Sequence, residues 1–193
     1  MKNTLPLIAV ALAGVLQAFS AGDGPTTSAS PAATTDMARM AAAGTARPAM
    51  AMTDADLAHE AAMGGMAEVA LGKMATERGM DPQVKDFGKM MVADHSKANE
   101  ELKGIARSKK IKLPTELDAD HQALSDKLGK LSGKEFDEAY VKAMLEDHKK
   151  DLGLMQSEAD HGKDAELKAF AANTAPVIQK HLTRIEQIHD AMK

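Results

Sequence analysis

From Thr53 to the C-terminus, apolar residues recur in alternating steps of three and four, in four long stretches that each begin at a helix-capping residue. That spacing places them on one face of an α-helix, whereas a half-buried strand needs a period of two. The pattern restricts the chain to an all-α fold. Composition agrees, because aromatic residues make up only 3% and Trp is absent. The core must then be built from Ala, Leu, Met, Ile and Val, a set that suits helices better than strands.

The punctuation locates the helices. Thr53 with Asp56 reads as a capping box, and predicts a helix to about Arg78 with Gly79 as its C′ residue. Asp81 and Pro82 supply an N-cap and a proline at the first helical position, opening a second helix to about Lys109. Thr115 with Asp118 opens a shorter helix to about Leu131. Ser132 with Glu135 reads as another capping box, Gly162 ends that helix, and Asp164 caps a last one running nearly to Lys193. Tight turns near residues 80 and 163 imply two antiparallel hairpins, and residues 110–131 are long enough to travel the length of a bundle. Hairpin, long partly helical crossover, hairpin is the plan of a ferritin-like four-helix bundle. Both turns are expected at the same end.

The N-terminus reads differently. Lys2, the apolar run from Leu5 to Leu16, and small residues at Ala18 and Ser20 give residues 1–21 the form of a secretory signal peptide, cleaved near Ser20. The run is too short to span a bilayer. Residues 22–52 form an Ala/Thr/Pro/Met-rich tether, and the bundle domain occupies residues 53–193. Cysteine is absent, which excludes disulfides, a lipoprotein attachment thiol and any thiolate metal site. The expected location is periplasmic or secreted. A net charge of −4 with interspersed acids and bases shows neither a nucleic-acid footprint nor a polybasic membrane anchor. No membrane span is expected in the mature form, and self-association into a homo-oligomer is left open.

The chemistry lies where the apolar stripes are interrupted. One ionisable residue breaks each stripe: Glu68 between Gly64 and Leu71, His95 between Met91 and Ala98, His148 between Met144 and Leu152, and His181 between Ile178 and Ile185. A buried carboxylate or imidazole costs several kcal/mol unless paired or coordinated. Counted from the turns at 80 and 163, the four lie 12, 15, 15 and 18 residues away. That is roughly 18 to 27 Å along the bundle, so His181 is the member furthest from Glu68. Three imidazoles and a carboxylate suit Zn, Fe, Mn, Ni or Cu. Asp94 and Asp147 precede two of the histidines and would orient them or add ligands.

The competing readings are a metal-free polar layer that fixes helix register, and an enzyme using the same ion on peroxide or oxygen. A di-iron site would need paired Glu-x-x-His motifs. Glu158/His161 and Glu186/His189 have that spacing but lie at very different distances from the turn, too far apart to share a site. His59, His121 and His161 read as surface or helix-end residues. Among 14 methionines, the run Met37, Met40, Met50, Met52, Met63 and Met66 raises a copper-handling alternative, since thioethers favour Cu(I).

The segments GGMAEVALGKMA, VKDFGKMMVADH, FDEAYVKAMLEDHKKDLGLM and LKAFAANTAPVIQKHL resemble the exported bacterial family called domain of unknown function 4142. The two Asp-His pairs and the Gln-Lys-His run at residues 179–181 carry the likeness most specifically. The resemblance implies a ferritin-like fold and an envelope location, and brings no settled activity with it.

Overall fold

A computed structural model describes residues 52–193. The expected signal peptide, nearly all of the tether, and Met37, Met40 and Met50 lie outside them. The described residues contain five helices and no strand: α1 (Asp54–Arg78), α2 (Pro82–Lys109), α3 (Ala119–Leu128), α4 (Gly133–His161) and α5 (Ala165–Ala191). Among these residues no helix is long and apolar enough to cross a membrane.

Local chemistry explains most of the boundaries. Thr53 Oγ1 accepts the Asp56 N–H at 3.1 Å while the Asp56 carboxylate accepts the Thr53 N–H at 3.1 Å, a complete capping box. Asp81 accepts from the Gln83 N–H at 2.7 Å ahead of Pro82, and Asp164 accepts from the Glu166 and Leu167 N–H groups. Ser132 stands at the N-cap of α4 as expected but makes no side-chain cap, because Gly133 takes φ +57° and turns the chain out of capping geometry. Gly79 follows the end of α1 as expected, in extended backbone (φ −55°, ψ 142°). Its glycine is needed for space, since a Cβ there would sit 2.6 Å from the Ala75 carbonyl oxygen.

The helices form a bundle in which α1 lies against α2 and α4, and α5 lies against α4 and α2. The α3 segment touches α1 and α4. Where α1 crosses α2 the backbones approach closely: a Cβ on Gly72 would lie 2.8 Å from the Gly88 oxygen, and one on Gly88 2.6 Å from the Gly72 oxygen. The two turns lie at opposite ends, not at one. Asp137, near the start of α4, accepts the Met80 N–H at 3.0 Å and the Asp81 N–H at 2.8 Å. At the other end Lys109, closing α2, bonds Asp164 and Glu166, each at 2.6 Å, where α5 begins. The connection through α3 carries the chain back along the bundle, so α4 starts beside the first turn.

The apolar core divides in two. One cluster, near the 79–81 turn, contains Leu71, Phe87, Phe136, Tyr140 and Ile185. The other, near the 162–164 turn, contains Leu57, Ala58, Leu102, Phe170 and Ala171. Between them lies a polar layer.

Candidate metal centre

Glu68, His95, His148 and His181 make up that layer, at 2, 6, 0 and 1% exposure. Each stands near the middle of its helix, and for this reason they meet even though the turns are at opposite ends. The imidazole centroids lie 5.3 Å (His95–His181), 5.5 Å (His148–His181) and 5.8 Å (His95–His148) apart. One ring nitrogen from each of the three falls within 4.8 Å of the others, a spacing that could hold a metal ion. His181, expected to be the outlying member, is fully part of the group.

Each ring is held from behind. His148 Nδ1 donates to the Met144 carbonyl at 2.9 Å. A carbonyl only accepts, so Nδ1 carries the proton and Nε2 is a bare lone pair. His181 Nε2 donates to Asp94 Oδ2 at 2.9 Å, leaving Nδ1 free. His95 Nδ1 lies 2.7 Å from Glu68 Oε2, and donation to the ionised form of that carboxylate frees Nε2. The three atoms released in this way, His95 Nε2, His148 Nε2 and His181 Nδ1, are all buried and all without a hydrogen-bond partner. Phe87 braces the group from the first core cluster, its ring 5.8 Å from His148 and 6.4 Å from His181.

The electrostatics keep the rings uncharged. Burial lowers His95 to about 4 and His148 to about 3, and it also lowers His181. Burial, followed by the nearby Asp147 charge, pushes the Glu68 carboxyl well above 4.5. Burial and the Glu68 charge likewise raise Asp151 well above 3.8.

Of the other residues singled out from sequence, Asp94 holds His181, whereas Asp147 is half-buried and lines a cleft between α1 and α4. Glu158 with His161, and Glu186 with His189, lie at opposite ends of the bundle, away from the triad. Met63 accepts the Asp118 N–H on its sulfur, while Met52 is exposed. His121, in the first turn of α3, lines the same cleft as Asp147. Sequence reasoning passed over Asp151, which lies three residues beyond His148 and so on its side of α4. The spacing alone could have found it. It also passed over Asp137, the buried acceptor for the first turn, and Phe87.

Comparison with known proteins places this geometry in context. No curated protein matches the sequence. Among solved structures, a DUF305 fragment from Deinococcus radiodurans superposes with a TM-score of 0.63 at 10% identity, covering 71% of this chain and 95% of that one. A DUF305 protein from Streptomyces coelicolor gives 0.62 at 13% identity, covering 74% and 95%. At such identities the likeness is one of fold. The sequence profile described as "Domain of unknown function (DUF4142)" matches residues 39–188, well over half of the 193, and the chain belongs to that family.

Proposed function

We propose that this protein is an exported, ferritin-like four-helix bundle that binds one divalent transition-metal ion through His95, His148 and His181. Glu68 and Asp94 orient two of the rings, and Asp147 acts further out. The observation that carries the reading is that three clustered, buried imidazoles each keep one ring nitrogen without a hydrogen-bond partner. A metal-free polar layer would have to satisfy His148 Nε2 from Glu68 Oε1, 3.4 Å away, and the other two nitrogens from water. Neutral imidazole is the ligating form, and burial holds these rings neutral well below pH 7. Opposite-side hydrogen bonds to a carboxylate or a carbonyl are the usual means of aiming metal-binding histidines.

The donor set fits Zn, Fe, Ni, Mn or Cu(II) and disfavours thiophilic ions, because the chain has no cysteine. Three protein ligands leave a position open, where a bound ion would supply Lewis acidity to water or a small ligand. Export is supported by the signal-peptide form of residues 1–21 and by the Streptomyces coelicolor neighbour, which is described as a candidate secreted protein.

Elemental analysis of protein purified without a His-tag tests the reading. About one equivalent of metal is expected in the parent and in His189→Ala, and none in His148→Ala. Equal metal content in the two variants would refute it.

A further inference from the structure

A cleft of about 500 Å³ opens between α1, α3 and α4. Its walls carry Asp56, Glu60, Asp147 and Asp151, with Glu68 at its floor, while Lys150 and His121 are the basic groups beside them. A second space of about 20 Å³, room for a single water, lies inside the bundle against His95, Glu68 and Asp151. Glu68 and Asp151 therefore stand in the wall of both spaces, one facing the surface and the other facing the triad. Glu68 is 2% exposed, its Oε1 has no hydrogen-bond partner, and that atom lies 3.4 Å from His148 Nε2. Gly64 also lines the cleft, and a Cβ there would meet the Asp151 carboxylate at 3.4 Å.

We propose that this acidic cleft is the port through which a hydrated divalent cation reaches the histidine triad, with Glu68 and Asp151 forming the gate between cleft and site. The proposal rests on the triad being a metal site. Carboxylates lining a concave wall raise the local concentration of cations and speed their capture. Oxygen donors bind hydrated divalent ions weakly enough to release them to nitrogen donors deeper in. The first core cluster, with Phe87 against two of the rings, closes the other side with apolar side chains.

The test is stopped-flow binding of Co²⁺ to the full chain, followed by the ion's visible absorption, with equilibrium affinity measured on the same samples. Gly64→Leu plugs the cleft without touching a ligand, and is expected to slow association and dissociation by the same factor, leaving Kd unchanged. Asp147→Lys reverses a wall charge, and is expected to slow association on the order of tenfold at low salt, an effect that shrinks as ionic strength rises. Parental rates in both variants would overturn the port. So would a weakened Kd caused by faster release from Asp147→Lys, which would make Asp147 a ligand. A parent chain that takes up no Co²⁺ would overturn the port together with the metal reading beneath it.

Discussion

The two halves of the core are built from different side chains, and the candidate site lies on the boundary between them. Beside the 79–81 turn the interior holds Phe87, Phe136 and Tyr140, with Phe136 and Tyr140 stacked at 5.8 Å. Beside the 162–164 turn it holds Ala58, Ala62, Ala171 and Ala175, with Phe170 as the one aromatic ring of that cluster. Large rings fill space and brace their neighbours, whereas alanines let helices approach but leave gaps. The histidines are accordingly held by a solid wall on one side and bordered by a void and a cleft on the other. A site that must keep three rings aimed, yet admit an ion, needs both kinds of neighbour.

Matched truncations would sharpen that comparison most. Phe87→Ala and Phe170→Ala should each cost about 3–5 kcal/mol in urea unfolding, as buried Phe truncations do. Only Phe87→Ala should also weaken metal binding, because Phe87 alone of the two touches His148 and His181. Equal loss of metal affinity in the two variants would show that the aromatic half has no special hold on the site.

Asp137 ties the aromatic half to the first turn. Asp137→Ala leaves the Met80 and Asp81 N–H groups without their acceptor, and should cost about 1.5–3 kcal/mol, read by the same unfolding measurement. A loss within experimental error would mean that solvent replaces the carboxylate without penalty.

The alanine half should show a smaller, pH-dependent effect. The Asp151 carboxyl is raised well above its unfolded value of 3.8. A carboxyl raised in this way contributes stability that is fully present below the unfolded pKa and lost as pH rises through the folded one. Asn suffers no such loss. In the metal-free protein, Asp151→Asn should therefore gain on its parent as pH is raised from about 4 toward neutrality. A stability difference that stays flat with pH, or moves the other way, would contradict the burial argument.

Much of the fold could be read from the sequence because short-range chemistry sets it. Thr53/Asp56, Asp81-Pro82 and Asp164 each satisfy local N–H groups, and they predict helix starts without reference to the rest of the molecule. Ser132 holds the N-cap position without the capping bond the sequence predicts, because Gly133 is free to adopt a positive φ, which no cap rule anticipates. The relative placement of the turns differs from the expectation for another reason: it depends on where the crossover delivers the chain, which is a tertiary fact. That error did not disturb the layer, since residues at mid-helix meet whichever way a helix runs. The stripes exposed Glu68, His95, His148 and His181 because a lone ionisable residue in an apolar row is conspicuous. Asp151 and Asp137 sit at stripe edges, where a carboxylate normally reads as solvated, and neighbouring helices bury Asp137 and half-bury Asp151. α1 is covered by α2, α4 and α3, so it buries Ala58, Ala62 and Met63 as well as its single expected face.

X-ray absorption at the metal edge of the loaded protein tests the central claim most directly, by counting the imidazoles on the ion. The account predicts three imidazole nitrogens, at about 2.0–2.1 Å if the ion is zinc, with one nitrogen lost in each of His95→Ala, His148→Ala and His181→Ala. A shell made only of oxygen, or one unchanged by those substitutions, would contradict it.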